Sequence, residues 1–369
     1  MNARDDQHAT AAQLKKEIMQ LLDALRERQN CYSFRIVNAR LKSAKMPTAQ
    51  GWEPLIEKFN EMPASRERLI ECRDELAAVY FDALKVGTRA VSVFKVTKGE
   101  AKVAAEQLGA LVDHGSEFAA KFPFPLSTSR LQRASFSGVF CHLIREEDGS
   151  VRLFACCKRA FRTREHIDLN ELDSDSRSAL EGYDEVFGVK SGYVQGFDSI
   201  VIRPSLGTVE VQIDIACRLT REDFAKARNH YTERLNSYFG AKFNNEKWLL
   251  LPENYFPLIP KLYERPDGMV NSLGHATATN SIKDERMRGR KSDLRKETFH
   301  EEGMHAIKGV TDEYSIRKSW FSSDGLRVPT VLISGHFAIA GGKDARVSYA
   351  IIDGCGDEDD FAMVMSKLN

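Results

Sequence analysis

Apolar residues recur with the period of a helix through the first third of the chain. A spacing of about 3.6 residues is clearest around Leu14 and Ile18 and continues in segments to residue 122. One stretch, residues 89–96, alternates between apolar and polar side chains instead and predicts a short strand. We therefore predict a helical N-terminal domain over residues 1–130.

The period changes from 3.6 to two at Phe136, and strand patterns follow. Two β-hairpins are predicted from strands at 138–145 and 151–157 and from strands at 198–203 and 208–215. A helix should then begin after Thr220, a good N-cap residue with Asp223 three positions later. Residues 131–249 are accordingly predicted to form an α+β domain.

The last third, residues 250–369, starts with a proline-containing connection and passes through a charged segment. It ends with a predicted hairpin, residues 330–340 and 345–352, and a final helix over residues 359–368. The expected fold class is α+β: a helical N-terminal domain followed by two mixed α+β regions built on antiparallel hairpins.

Composition excludes several protein classes. The chain has 369 residues and equal numbers of basic and acidic side chains, 53 of each, so it is not a polyelectrolyte binder as a whole. It lacks an apolar run of the roughly 20 residues needed to span a bilayer and shows no signal region, so we expect a cytoplasmic protein with no membrane partner. Seven cysteines without a C-x-x-C pair argue against a disulfide framework and a zinc ribbon.

The charged segment Lys283–Lys296 stands out against this neutral background. It contains seven Lys or Arg and three acids, and such a local excess can bind phosphates without reading sequence. The alternative is a solvated surface segment that its acids neutralise. A second basic patch follows a predicted strand and has Phe161 between its cations as a base-stacking group. The candidate nucleic-acid-binding residues are Lys283, Arg286, Arg288, Arg290, Lys291 and Arg295, and Lys158, Arg159, Arg162 and Arg164.

A second hypothesis concerns a catalytic carboxylate pair. Asp198 opens one predicted strand, and on the next strand Glu210 and Gln212 share a face because side chains alternate. Two carboxylates, Asp198 and Glu210, can hold Mg²⁺ against a phosphodiester. The stretch from 198 to 239 resembles the PD-(D/E)xK nucleases, with Gln212 at the position of their lysine. That resemblance implies a Mg²⁺-dependent nuclease with Asp198, Glu210 and Gln212 as catalytic residues.

The segment around His300 contains the pattern H-E-x-x-x-H. On a regular helix, a five-residue spacing turns His305 about 140° away from His300. A zinc protease site needs two histidines on one face of the helix. We therefore do not expect these two histidines to bind zinc together.

The order of the Asp198 hairpin, the helix end at residues 235–240, the segment Gly289–Asp293 and the final hairpin resembles uncharacterised bacterial proteins encoded near restriction and phage-defence genes. We therefore expect a DNA- or RNA-binding recognition or accessory subunit without a cofactor. The metal-dependent nuclease is the alternative. A third hypothesis is an interaction scaffold that binds a protein partner, or a second copy of itself, through the N-terminal helices.

Overall fold

The computed structural model describes residues 10–62, 65–279, 281–342 and 344–368. The first nine residues of the predicted helical domain therefore lie outside the described part. The helices are α1 Ala11–Glu27, α2 Phe34–Ser43, α3 Trp52–Glu61, α4 Arg66–Val86, α5 Lys98–Gln107, α6 Glu117–Lys121, α7 Thr128–Arg133, α8 Ser174–Ala179, α9 Arg221–Phe239, α10 Leu258–Glu264, α11 Thr298–Ala306 and α12 Glu358–Ser366. None of the helices in these residues has the length and hydropathy of a membrane span.

The strands form one antiparallel sheet in the order β2-β3-β4-β5-β1-β10-β9-β8-β6-β7. Their bounds are β1 Arg89–Lys95, β2 Val139–Arg145, β3 Val151–Ile167, β4 Val186–Arg203, β5 Thr208–Asp214, β6 Met269–Thr277, β7 Ile282–Arg286, β8 Thr311–Ser319, β9 Thr330–Ser334 and β10 Ala350–Asp353. The predicted α+β class is confirmed. All three predicted segments contribute strands to this sheet: β1 comes from residues 1–130, β2 to β5 from residues 131–249, and β6 to β10 from residues 250–369. Strand β1 lies between β5 and β10 and so connects the other two groups of strands.

The two faces of the sheet carry separate apolar cores. One core joins α1 to α4, α10 and α12 to side chains from β1 to β4, β6 and β8 to β10. Helix α1 buries Leu14 and Ile18 completely in it. The other core packs α5 and α9 against β1 to β5. Among the described residues of this second core, none belongs to β6, β7, β8 or β9. That half of the second face therefore has no apolar helix layer over it.

Several local predictions are confirmed. β1 occupies the predicted strand at 89–96, and α9 begins after Thr220 with a capping box that includes Asp223. Strands β2 and β3 form the first predicted hairpin, and β4 and β5 form the second. However, β3 and β4 continue as a long two-stranded arm, and β6, β7 and β8 occur where only a connection and a charged segment were predicted.

Candidate functional site

The open half of the second sheet face contains a polar cleft of about 380 Å³. Its floor is formed by β6, β8 and β9, and its rim is formed by β7 and the loop that follows it. We call it the arginine groove and define it by the residues Ser272, Arg286, Arg288, Arg290 and Arg317. Three of these five residues belong to the charged segment predicted from the sequence.

Sheet register places two arginines on either side of Ser272. In the pairing of β6 with its neighbours, Ser272 lies opposite Arg286 of β7 and opposite Arg317 of β8. Paired residues project from the same face, so both guanidinium groups lie on the face of Ser272. Two strand spacings separate the arginine backbones, which is roughly 9.6 Å. A phosphate group can therefore be approached from both sides of the groove.

The loop after β7 is held in place by the residues beneath it. Asn271 is buried at an irregularity in the β6–β8 pairing, and its Nδ2 donates to the carbonyls of Arg290 and Ser292, both at 3.0 Å. The hydroxyl of Ser319 donates to the carbonyl of Arg290 at 2.7 Å. Fixing the backbone in this way reduces the conformational entropy that the loop loses when it binds a ligand.

Arg317 is the most unusual member of the groove. It is half-buried on β8, and no described residue forms a hydrogen bond or ion pair with its guanidinium. Burial lowers the pKa of Arg317, and the nearby charge of Arg290 lowers it further; Asp353 opposes this effect, and Arg286 adds to it. Two neighbouring arginines and one carboxylate, Asp353, leave a local excess of positive charge, which is typical of an anion-binding site.

Arg290 is fixed by an ion pair. Its Nη2 contacts Asp353 of β10, and its Nη1 lies beside Gly354, where a Cβ atom would approach it to 2.9 Å. Gly354 also has a φ of +79°, which favours glycine. Arg286 and Arg288 are exposed, and neither has a hydrogen-bonding side-chain partner in the described part of the chain.

The other predicted cations of the charged segment have different surroundings. Arg295 donates to the carbonyls of Tyr263, Arg265 and Gly268 and pairs with Asp293, so its guanidinium connects parts of the fold and is not available to the groove. The remaining two are exposed: Lys283 on β7 and Lys291 in the loop.

The second basic patch is divided between the core and the arm. The ammonium of Lys158 donates to the carbonyl of Gln132. Nη2 of Arg159 contacts both carboxylate oxygens of Asp198, at 2.6 and 2.8 Å. Both cations are buried and therefore act in the fold. Only Arg162 and Arg164 remain exposed, on the arm.

The two predicted basic surfaces do not meet. Strand β3, which carries Arg162 and Arg164, lies eight positions from β7 in the strand order. At a spacing of about 4.8 Å per strand, this corresponds to about 38 Å across the sheet. A single groove joining the two surfaces is therefore not formed.

The predicted carboxylate pair is separated by sheet register. Gln212 donates to Glu210 at 2.7 Å, so these two residues share a face as predicted. However, they lie opposite Ser199 and Val201 of β4, and alternation therefore turns Asp198 to the other face. Asp198 and Glu210 consequently do not form a common cation site in this structure.

Each of these carboxylates also has its own protein donors. Asp198 accepts from Arg159, from the hydroxyl of Tyr231 and from the backbone N–H of Asp214. Glu210 accepts from Arg203 at 2.6 Å as well as from Gln212. Such contacts satisfy the hydrogen-bonding groups of side chains inside a core. They explain why Asp198, Glu210 and Gln212 can be buried without a metal ion.

A different cluster brings metal-ligating side chains together. The carboxylate of Glu285 on β7 lies 2.7 Å from Nε2 of His275 on β6 and 3.0 Å from Nδ1 of His300 on α11. Burial tends to raise the pKa of Glu285, but the hydrogen bonds from both histidines outweigh it and hold the pKa below its usual range. Among the described residues, these three side chains form a cluster that could hold a metal ion.

Sequence reasoning missed Arg317, Asn271 and the partners of His300. Arg317 has a local signal in the sequence, because the large apolar side chains of Tyr314 and Ile316 alternate with the polar Ser315 and Arg317, as in a half-buried strand. The histidine cluster has no local signal, since its three residues are 10 and 15 positions apart on three elements.

The comparisons with known proteins do not supply a family. No protein-family model matches the chain, and no curated protein matches it in sequence.

Proposed function

We propose that this chain binds nucleic acid through the arginine groove and acts as a recognition or accessory subunit. The observation that carries this proposal is the half-buried Arg317, which forms no ion pair with any described residue and lies near the charges of Arg286 and Arg290. Its desolvation and the repulsion between the cations are compensated when an anion enters the groove.

The donor set of the groove favours phosphate. Guanidinium groups provide paired N–H donors that match phosphate oxygens, and hydroxyl groups such as that of Ser272 on the floor add neutral donors. Arg288 lies beyond the strand on the exposed loop and extends the row of cations. A row of cations along an open cleft fits a polymer of phosphates better than a single small anion.

The same contacts would be independent of base sequence. They address the backbone, so they would contribute affinity and orientation, whereas sequence preference would come from other surfaces or from a partner subunit. We also propose an antiviral setting, and this part rests on the resemblance to proteins encoded near phage-defence genes.

Salt-dependent binding is the direct test of the groove. Fluorescence anisotropy with labelled single- and double-stranded DNA and RNA should be measured at 50 and 200 mM salt. If Arg286, Arg288 and Arg317 each neutralise one phosphate, affinity for a duplex should fall by roughly 40-fold over this range, and affinity for a single strand by roughly 20-fold. The triple alanine variant at these positions should lose most of both the affinity and the salt dependence.

Two matched controls separate the groove from general electrostatics. The variant Lys42→Ala/Lys102→Ala/Lys247→Ala removes the same charge from exposed positions outside the groove and should bind like the wild type. The arm variant Arg162→Ala/Arg164→Ala should have the smaller effect of a secondary contact. Unchanged binding by a folded groove variant, or an equal loss in the lysine control, would contradict the assignment.

A further inference from the structure

The cluster of His275, Glu285 and His300 has the composition of a metal centre. Two imidazole nitrogens and one carboxylate oxygen lie within 4.8 Å of one another. The histidine side chains are almost fully buried, at 4% and 1% exposure, whereas Glu285 retains 21%. From this convergence of donor atoms we infer that the three residues bind a divalent transition-metal ion. Two imidazoles and one carboxylate are a ligand set that suits Zn²⁺.

Three elements of the fold bring the ligands together. Glu285 lies opposite Leu273 in the β6–β7 pairing, so His275 is its diagonal neighbour on the same face. His300 lies in the first turn of α11, where its backbone N–H is capped by Glu297 at 2.8 Å. The two imidazole rings meet at 86° with centroids 6.3 Å apart, so both rings direct a nitrogen towards Glu285.

The ligand set selects the class of metal. Imidazole nitrogen with one carboxylate suits zinc and neighbouring first-row ions, whereas magnesium and calcium prefer oxygen ligands alone. Zinc bonds of about 2.0–2.1 Å in a tetrahedron separate the ligand atoms by roughly 3.3 Å. Oε1 of Glu285 lies 2.7 Å from Nε2 of His275, and its Oε2 lies 3.0 Å from Nδ1 of His300. All three ligand groups offer atoms within 4.8 Å of one another, so the side chains need to move by about 1.5 Å or less to reach this separation.

The surroundings provide a supporting contact and an entry path. Nε2 of His300, the ring nitrogen not directed at Glu285, lies 2.9 Å from the hydroxyl of Tyr263. Such contacts orient metal-binding histidines and fix their tautomer. Glu285 keeps 21% of its side chain exposed, so an ion can reach it from solvent. With three protein ligands, the fourth position of a tetrahedral ion remains open to water or substrate.

Metal titration of the untagged, chelator-treated full chain tests this inference without nucleic acid. Zn²⁺ should bind with one ion per chain in competition with a chromogenic chelator. Co²⁺ should give ligand-field absorption without a thiolate charge-transfer band, because the proposed ligands are nitrogen and oxygen and all seven cysteines are buried. His275→Gln and Glu285→Gln should each weaken binding at least 100-fold.

Two further variants change a histidine outside the cluster and the tyrosine that contacts His300. His305→Gln changes an exposed histidine on the same helix as His300 and should leave affinity unchanged. Tyr263→Phe, the mildest change, should lower affinity about 10- to 100-fold by releasing the His300 ring. The folding of each variant is compared with that of the wild type by circular dichroism in the presence of chelator. If His275→Gln is unfolded, the metal affinities of Glu285→Gln and Tyr263→Phe provide the test. An absence of stoichiometric binding, or full affinity in folded Glu285→Gln, would overturn the inference.

Discussion

Lys318 provides a quantitative test of the buried electrostatics under the groove. Its side chain is fully buried on β8, and its ammonium donates to the carbonyls of Leu262 and Arg265, both at 2.7 Å. Burial and the nearby Arg295 lower its pKa from 10.5 to about 8, although Asp267 opposes this shift. The folded protein should therefore release this proton well before the unfolded chain does.

The sign and size of the effect follow from linkage. Between pH 8 and pH 10.5 the unfolded chain holds a proton on Lys318 that the folded chain has lost, so this residue makes stability rise with pH. The penalty for burying the charged form is complete below pH 8 and is removed as the pH rises through 10.5. A difference of about 2.5 in pKa corresponds to at most about 3.4 kcal/mol.

Lys318→Met keeps the length of the side chain and removes the titration, so the measurement compares two pH profiles. The free energy of unfolding is measured by urea denaturation of both proteins at several pH values from 7 to 10.5. The stability of the wild type relative to the variant should increase by up to about 3.4 kcal/mol over this range. Exposed Lys42→Met should give a profile parallel to that of the wild type. Parallel profiles for Lys318→Met would refute the reasoning.

Three further changes test the groove and the core. Arg317→Leu should weaken nucleic-acid binding without lowering the melting temperature, because it removes a half-buried charge that no described residue pairs with; a marked loss of stability would show that the arginine is compensated within the fold. Asn271→Ala should cost about 1–3 kcal/mol in urea denaturation and weaken binding, since two loop carbonyls lose their donor. Arg28→Met should cost about 3–5 kcal/mol, because it leaves the buried Asp214 without its ion-pair partner; a cost below 1 kcal/mol would argue against this role.

Elements with strong internal periodicity could be predicted from the sequence. The helix after Thr220 and the hairpin of β4 and β5 are specified by capping residues and by alternation within a few positions. The strands β6, β7 and β8 were missed because their patterns are interrupted by polar residues on an open face and by irregular pairing. Their strand character depends on long-range pairing, which a local pattern does not contain.

Some residues of the arginine groove could also be predicted from the local sequence, and others could not. Arg286, Arg288 and Arg290 could be found from local charge density, but Arg295 belongs to the same segment and is used to hold the fold together. Arg317 joins the groove only through the register of β8 with β6. Composition identifies cations, whereas register and burial decide which of them face a ligand.

The two proposed sites depend on opposite faces of one short strand. β7 is at the edge of the sheet, and alternation places Glu285 with the histidines and Arg286 in the groove. A slip of one residue would exchange these faces, so the function of both sites requires a fixed register. The hydroxyl of Tyr314, which donates to the carbonyl of Lys283 at 3.2 Å, supplies one such restraint. Because the faces are separate, removing the groove arginines should leave metal binding intact, and chelation should leave the groove arginines in place. Each proposal can therefore fail without the other.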